Sequence, residues 1–325
     1  MLFFSSSITL HFLKFVLLLL MLVLALSWMP CLASVRSCLI PSFSMISRSF
    51  LQLPLLLALH FFLGICSLPD TIFRSAVDTA LADSGCSGLE NDALRLSCFA
   101  NKALVNVGGD LSKMVPGRVS TEVDARLAYD THGIIRKVHD LLKLYNEIDV
   151  PHERLLFKIP STWQGIEASR LLESEGIQTH LTFVYSFAQA AAAAQAGASV
   201  IQIFVGRLRD WSRNHSDDPE IEAALKRGED PGLALATKAY NYIHKYGYKS
   251  KLMAAAVRNK QDLFSLLGVD YIIAPLKVLQ SLKESITTPD EKYSFVQRLS
   301  SHSAVAYSFS EEEVWFISIF LFLSF

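Results

Sequence analysis

At residues 155–163 the chain reads Leu-Leu-Phe-Lys-Ile-Pro-Ser-Thr-Trp. This run has the length and the large apolar side chains of a buried strand, and a proline followed by small polar residues ends it. Because side chains alternate along a strand, Lys158 shares a face with Leu156 and Pro160 and lies opposite Phe157. The stretch therefore predicts a buried strand that carries a single amine on one face.

A lysine in this position has two interpretations. An amine inside a buried strand loses its hydration, which disfavours the charged form, and a neutral lysine can attack a carbonyl carbon to form a Schiff base. Alternatively, Lys158 is a structural residue that extends its ammonium group from a strand end to water. The motifs around it favour the first interpretation.

The composition restricts the kind of protein. A chain of 325 residues can hold one barrel-sized domain or two smaller ones, and a net charge of -1 gives no reason to expect a nucleic-acid partner. All five cysteines lie in the first third, without a CxxC pair or a metal-binding spacing. This pattern is typical of a reducing compartment, argues against a disulfide framework and predicts no metal site.

The apolar residues are unevenly distributed. They make up 51% of the chain and raise the mean hydropathy to +0.32, but before Asp70 the charged residues are only Lys14, Arg36 and Arg48. After that point, charged and apolar residues alternate as they do in ordinary globular domains. The average composition therefore describes two different kinds of sequence.

The apolar ends of the chain form segments that are separate from its main body. Residues 1–50 form a leader in which 15–29 resembles a signal-peptide core, while the serine-rich, acid-free stretch 34–50 is typical of an organelle transit peptide. Residues 51–68 are a leader remnant, a membrane segment or a buried strand, and residues 301–325 form an apolar tail. Membrane contact through these ends is one open interpretation.

Residues 69–300 show a regular alternation of helix and strand patterns. Strands are predicted at 117–124, 155–160, 179–184, 200–205, 251–257 and 269–274, and helices at 71–81, 134–145, 165–175, 187–196, 230–246, 260–267 and after 275. A long polar loop containing Asp217-Asp218-Pro219 is expected after the strand at 200–205. The alternation predicts a parallel α/β fold. A closed (β/α)₈ barrel needs eight repeats, so its first two strands must come from the residues before 117 or be missing.

Enzymes with this barrel place their working residues at the carboxyl ends of the strands. That rule selects five residues, namely Glu122, Lys158, Thr182, Arg207 and Arg258. The glutamate could shuttle protons during imine formation through a water held by the threonine, and the planar donor groups of the two arginines suit a phosphate.

Each of these residues also has an ordinary structural interpretation. Glu122 could pair with Arg126 on the surface, and Arg207 could pair with Asp210. A threonine at a strand end is common. The joint placement of all five residues favours a reaction site.

Five stretches carry a resemblance to a known family. They are Gly-Arg-Val-Ser-Thr-Glu-Val-Asp-Ala-Arg-Leu (117–127), Lys-Ile-Pro-Ser-Thr-Trp-Gln-Gly-Ile-Glu-Ala (158–168), Ser-Phe-Ala-Gln-Ala (186–190), Phe-Val-Gly-Arg-Leu-Arg-Asp-Trp (204–211) and Val-Arg-Asn (257–259). These motifs closely resemble transaldolase over residues 65–300, and the plant plastid-type enzymes most nearly.

The resemblance implies a (β/α)₈ barrel and a cofactor-independent transfer of a dihydroxyacetone unit from sedoheptulose 7-phosphate to glyceraldehyde 3-phosphate. The family's Schiff-base lysine matches Lys158, its proton-relay residues match Glu122 and Thr182, and its substrate- and phosphate-binding residues match Arg207, Arg258, Ser186 and Phe204. The implied partners are sugar phosphates and a second copy of the chain. The implied location is the plastid or the cytoplasm, with secretory or membrane routing as the alternative.

The chain departs from the family pattern at several positions. His180 replaces an asparagine and Gln202 a serine, and the family's second strand would fall near residues 59–64. No acidic residue precedes Asp70, so the first-strand aspartate that assists carbon–carbon cleavage has no counterpart, and we expect slow cleavage. Two other functions stay open: a non-catalytic, membrane-tethered protein, or a lysine-dependent aldolase that releases dihydroxyacetone, against which the retained Phe204 argues.

Overall fold

The computed structural model describes residues 55–57 and 71–284, together with the isolated residues Glu311 and Val314. Its strands form one sheet in which every neighbouring pair is parallel and the spatial order follows the chain order. The strands are β1 (Leu55–Leu57), β2 (Val119–Glu122), β3 (Leu155–Pro160), β4 (Thr179–Val184), β5 (Val200–Phe204), β6 (Lys251–Ala255) and β7 (Tyr271–Ile272).

Helices connect these strands. They are α1 (Thr71–Leu81), α2 (Ser84–Ser87), α3 (Asp92–Met114), α4 (Thr131–Glu147), α5 (Trp163–Ser174), α6 (Phe187–Gln195), α7 (Val205–Asn214), α8 (Pro219–Lys226), α9 (Pro231–Lys245), α10 (Lys260–Ser265) and α11 (Leu276–Lys283). Short 3₁₀ turns at Ala125–Leu127 and His152–Arg154 precede α4 and β3. None of the helices in the described part of the chain is long and apolar enough to cross a membrane.

Consecutive parallel strands joined by helical crossovers are the architecture of a (β/α)₈ barrel. The predicted fold class is confirmed as a partial barrel, and strands β2 to β7 are the six predicted repeats after Gly117. Strand β1 adds a seventh, which pairs with β2 at Leu55 and Val119. The strand expected near residues 59–64 lies outside the described residues, as do most of the predicted leader and tail.

The two faces of the sheet have different surroundings. The outward side chains of β3, among them Phe157 and Ile159, belong to the large apolar core against the helices. On the other face, Leu156 packs with Val200 and Met253 in a separate small cluster. The predicted alternation of β3 is therefore confirmed, and Lys158 lies on the same inner face as Leu156.

The long loop predicted after β5 is wrong, because two helices, α7 and α8, occupy that region. The Asp218 side chain caps α8 by accepting hydrogen bonds from the backbone N–H groups of Glu220 at 2.9 Å and Ile221 at 3.2 Å. Pro219 fills the first turn of the helix. The Asp-Pro pair is thus a helix start rather than part of a loop.

The structure also contains a disulfide bond between Cys86 and Cys98. The cysteine pattern argued against a disulfide framework, and this bond is an exception to that expectation. Cys86 lies in α2 and Cys98 in α3, and the packing of these helices brings the two Cα atoms within 5.5 Å. Tertiary packing therefore creates the pair, which has no sequence motif.

Candidate active site

Strand β3 holds the Lys158 side chain inside the sheet rather than at its edge. All six residues of the strand are buried, and the lysine side chain is only 5% exposed. Its Nζ lies 3.5 Å from Oε1 of Glu122, which is the paired residue on strand β2. The interpretation of Lys158 as a lysine that extends to water is therefore wrong.

The neighbouring acidic residues have separate partners. Arg126, the alternative partner proposed for Glu122, binds Asp124 with an Nε–Oδ1 distance of 3.0 Å. Glu122, with its side chain 23% exposed, faces Lys158. A carboxylate that is both accessible and close to the amine can exchange protons with the amine and with solvent.

Thr182 lies on strand β4, where it pairs with Pro160 of the lysine strand. The residue is 1% exposed, and its Oγ1 is buried without a hydrogen-bond partner among the described residues. A buried hydroxyl in this state costs free energy unless a water or a ligand oxygen binds it. Its position suits the predicted role of holding a water or a substrate oxygen.

His180 is the residue of β4 that pairs with Lys158. It is fully buried, and its Nδ1 lies 2.8 Å from the hydroxyl oxygen of Ser120 on β2. Burial, assisted by the nearby positive charge of Lys158, lowers the pKa of His180 to about 3. The imidazole is therefore neutral at physiological pH.

The side chains of His180 and Gln202 are neighbours, because hydrogen bonding from Gln202 opposes the fall in the pKa of His180. Nε2 of His180 and Oε1 of Gln202 have no further hydrogen-bond partner among the described residues, and both residues are at most 1% exposed. Gln202 lies on β5, two residues before Phe204 and on the same face of that strand. Both positions depart from the family pattern, and together they offer hydrogen bonds to a small polar ligand.

The predicted phosphate-binding arginines lie just beyond strands β5 and β6. Arg207 is in the first turn of α7, and its guanidinium carbon lies 4.7 Å from the centre of the Phe204 ring. Burial raises the pKa of Tyr185, and the neighbouring Arg207 opposes that rise. The Phe204 ring lies 6.1 Å from the Tyr185 ring. Aromatic rings therefore surround the Arg207 side chain.

Arg258 follows strand β6 and approaches the start of α7. Its Nη2 binds Oδ2 of Asp210 at 2.5 Å, so Asp210 forms its ion pair with this arginine and not with Arg207 as the alternative suggested. Gly206 lets helix α7 lie close to the segment after β6. A Cβ atom at this position would lie 2.0 Å from the Ala256 carbonyl oxygen and 3.2 Å from the Arg258 Nε. The structure thus brings both arginines to one helix start.

Ser186 is the N-cap residue of α6. Its hydroxyl accepts a hydrogen bond from the backbone N–H of Gln189 at 3.1 Å, and the Gln189 side chain completes a capping box. This contact explains the presence of the serine locally. The predicted role of Ser186 in substrate binding stays a prediction.

Sequence reasoning missed two residues of the site. Ser120, which binds His180, lies two residues before Glu122, so strand alternation could have placed it on the inner face. Gln189 connects the ends of strands β3 and β4 through its hydrogen bonds with Ser161 and Phe183. Gln189 lies in the 186–190 motif, but nothing in the local sequence indicates contacts that reach across two strands.

Known proteins resemble this chain in sequence. The family described as Transaldolase/Fructose-6-phosphate aldolase matches residues 67–315. A transaldolase of Histophilus somni (strain 2336) is 41% identical over 233 residues, which cover 72% of this chain and 71% of the relative. A transaldolase of Yersinia pseudotuberculosis serotype O:3 (strain YPIII) is 42% identical over 242 residues, or 74% of each chain.

A transaldolase of Haemophilus influenzae (strain ATCC 51907 / DSM 11121 / KW20 / Rd) is 41% identical over 225 residues, which cover 69% of each chain. The matched family region contains the buried lysine, its glutamate and both arginines. The chain therefore belongs to the transaldolase/fructose-6-phosphate aldolase family.

Proposed function

We propose that this chain is a transaldolase that transfers a dihydroxyacetone unit from sedoheptulose 7-phosphate to glyceraldehyde 3-phosphate, with Lys158 as the nucleophile. The observation that carries the proposal is the buried amine of Lys158, whose Nζ lies 3.5 Å from the Glu122 carboxylate. Family membership supports the reaction class. The products would be erythrose 4-phosphate and fructose 6-phosphate.

The first step would be formation of an imine. The neutral amine of Lys158 attacks the ketose carbonyl carbon, and the resulting carbinolamine loses water to give a protonated imine. Glu122 supplies and removes the protons, and the unpartnered Thr182 hydroxyl holds the water that carries them. His180 and Gln202 offer hydrogen bonds to a substrate hydroxyl in the same pocket.

Carbon–carbon cleavage would follow. A base takes the proton from the substrate's C4 hydroxyl, the C3–C4 bond breaks, and its electron pair neutralises the protonated imine to give an enamine on Lys158. The aldehyde product leaves, and the enamine then adds to the acceptor aldehyde. Losing a positioned base costs on the order of 10²–10⁴ in rate, so we expect slow turnover in a chain without the first-strand aspartate.

The phosphate of the substrate would bind between Arg207 and Arg258. These guanidinium groups flank the start of α7, where backbone N–H groups also favour an anion. Arg258 would exchange its ion pair with Asp210 for one with the bound phosphate.

Reductive trapping tests the nucleophile. Borohydride added with fructose 6-phosphate reduces an imine to a stable secondary amine, which peptide mapping should place on Lys158. The variant Lys158→Met should give no adduct. Lys251→Met is a matched control, because Lys251 also lies on a strand but at the opposite, amino end of β6, where it pairs with Asp270 at 3.1 Å. An adduct elsewhere would refute the assignment of Lys158.

Product analysis separates the alternatives. A coupled assay should detect fructose 6-phosphate when sedoheptulose 7-phosphate and glyceraldehyde 3-phosphate are both present. Release of free dihydroxyacetone would identify an aldolase instead. A trapped adduct without either product would identify a chain that forms the imine but does not complete the transfer.

A further inference from the structure

We infer that Gln189 is a positioning residue that holds the end of strand β4 in the conformation that directs Thr182 into the site. The inference rests on the function proposed above, in which Thr182 holds the proton-carrying water. Gln189 lies on helix α6, is 2% exposed and is not among the residues that would contact the substrate.

Strand β4 is irregular at Thr182 and Phe183, near its carboxyl end. Leu181 pairs with Ile201, and Val184 pairs with Ile203, so two residues of β4 face a single residue of β5. Leu181 and Val184 both belong to the large outer core, which shows that the alternation of side chains shifts by one residue. This bulge determines which side chains of β4 point inward.

The backbone at the bulge needs support from its surroundings. Phe183 has a φ of 60°, in the left-handed region that side chains with a Cβ rarely adopt. Such a conformation persists where neighbouring groups hold it. The carbonyl groups of Thr182 and Phe183 are the obvious points at which it can be held.

The Gln189 side chain provides that support. Its Oε1 accepts from the backbone N–H groups of Tyr185 at 3.0 Å and Ser186 at 3.2 Å, and from the Ser186 hydroxyl at 3.4 Å. Its Nε2 donates to the carbonyl oxygens of Ser161 at 2.9 Å and Phe183 at 3.2 Å. Both the acceptor and the donor of the amide therefore bind the backbone around the bulge.

These contacts connect the lysine strand to the threonine strand. The backbone N–H of Ser161 donates to the Thr182 carbonyl at 2.8 Å, while the Ser161 carbonyl accepts from Gln189. The capping box of the helix uses the bond from the Ser186 N–H to Oε1 of Gln189 and the bond from the Gln189 N–H to the Ser186 hydroxyl. The two bonds from Nε2 reach backbone outside the helix, and capping does not account for them. We therefore assign Nε2 to fixing the geometry between Lys158 and Thr182.

The variant Gln189→Met tests this role, because methionine keeps the length of the side chain and removes the hydrogen bonds of the amide. A displacement of about 1 Å at Thr182 costs on the order of 10² in rate. We expect that loss in the rate of borohydride trapping on Lys158 and in kcat, with KM changed less than threefold, since the arginines are untouched. Far-ultraviolet circular dichroism and a thermal melt should show that the variant folds.

The matched control is Gln195→Met on the same helix. Gln195 is exposed and ends the helix, and its Nε2 donates to the Tyr242 hydroxyl at 2.7 Å. This variant should trap substrate at the wild-type rate. Gln189→Glu is the second test variant, because it keeps the acceptor oxygen and loses the Nε2 donor. Trapping should again be slow if Nε2 holds the backbone. This variant also serves as the test if Gln189→Met does not fold.

A double-mutant cycle with Thr182→Val distinguishes positioning from general destabilisation. If Gln189 acts through Thr182, adding Gln189→Met to Thr182→Val should slow trapping by less than threefold. The inference would be overturned if the two substitutions together slowed trapping by the product of their separate factors, or if Gln195→Met slowed trapping as much as Gln189→Met. Trapping at the wild-type rate in both Gln189 variants would also overturn it. Failure of the wild-type protein itself to form an adduct on Lys158 would instead refute the proposed function.

Discussion

At the level of single residues, the inner face of the sheet carries an unusual set of polar side chains. Four of them are exposed by 4% or less: Lys158, His180, Thr182 and Gln202. Buried polar groups reduce stability unless they are hydrogen-bonded. Three of these four residues have an atom without a protein partner in the described structure. The interior is therefore built for a ligand rather than for maximal stability.

His180 should make the stability of the protein depend on pH. Its folded-state pKa of about 3 lies below the ordinary value of 6.5, so below pH 6.5 the unfolded chain binds a proton that the folded chain does not. The free energy of unfolding should therefore be greatest above pH 6.5 and fall as the pH decreases, by roughly 2 kcal/mol between pH 7 and pH 5. Urea unfolding at these two pH values measures the difference.

The variant His180→Asn should lose that part of the pH dependence, because asparagine does not titrate. His152→Asn is a control at an exposed position in the turn before β3 and should keep the wild-type dependence. An unchanged difference between pH 7 and pH 5 in His180→Asn would show that the buried imidazole is not responsible.

Arg258 should contribute to binding of the substrate phosphate. Hydrogen bonds to a charged group contribute about 1.5–3 kcal/mol, so Arg258→Met should raise the KM for glyceraldehyde 3-phosphate roughly 10- to 100-fold. The kcat with unphosphorylated glyceraldehyde should change little. Steady-state kinetics with both acceptors makes the comparison. Arg170→Met, which removes an exposed arginine paired with Glu167, should leave both values unchanged.

At the level of elements, the contact between α7 and the segment after β6 places the arginines. Helix α7 begins directly at the end of β5, so its first turn lies at the carboxyl edge of the sheet. Gly206 lies directly against the Ala256 carbonyl group. Gly232 of α9 lies equally close to Val205: a Cβ atom at Gly232 would be 2.2 Å from the Val205 carbonyl oxygen. Two glycines therefore let α7 approach its neighbours on both sides.

Substituting Gly206→Ala should disturb this contact. A Cβ atom only 2.0 Å from a backbone oxygen forces the backbone to move, and overpacking of this kind typically costs about 1–3 kcal/mol of unfolding free energy. The shift should also raise the KM for sugar phosphates by displacing Arg258. Urea unfolding and steady-state kinetics measure the two effects.

Gly88→Ala provides the comparison for that variant. Gly88 follows α2, and a Cβ atom there would meet the nearest atom at an ordinary 3.4 Å. Its unfolding free energy should stay within about 0.5 kcal/mol of the wild type. If Gly206→Ala is equally harmless, the close approach at α7 does not determine the geometry of the arginines.

At the level of the whole molecule, strands β2 to β7 and helices α1 to α11 lie within the residues that the family match covers. The segments predicted as a leader (1–50) and an apolar tail (301–325) differ from this part of the chain in composition. We propose that the leader is a targeting segment removed on import into a plastid, or else that the chain is cytoplasmic. Secretory routing and membrane contact are the alternatives, and a homodimer stays a prediction.

Amino-terminal sequencing of the mature protein should distinguish these destinations. Cleavage near Ala33-Ser34 would indicate a secretory signal, and cleavage between residues 50 and 68 would indicate an organelle transit peptide. An intact first residue would refute both targeting interpretations and favour a retained apolar segment.

Much of the fold could be predicted from local patterns. Strand β3, the alternation of its side chains and the six strand–helix repeats follow from the spacing of apolar residues, which depends only on backbone geometry. The loop predicted around Asp218 was wrong because an Asp-Pro pair begins a helix as well as a turn. The long helix α3 and the Cys86–Cys98 pair had no comparably regular signal.

Part of the candidate site could also be predicted from the sequence, and part could not. The positions of Glu122, Lys158 and Thr182 at the carboxyl ends of consecutive strands could be predicted, since parallel strands all end at one edge. Their partners could not. The contact of Ser120 with His180, the bond of Gln189 with Ser161 and the ion pair of Arg258 with Asp210 join residues between 28 and 60 positions apart. Such contacts depend on how the strands and helices pack in three dimensions, and no local pattern records that packing.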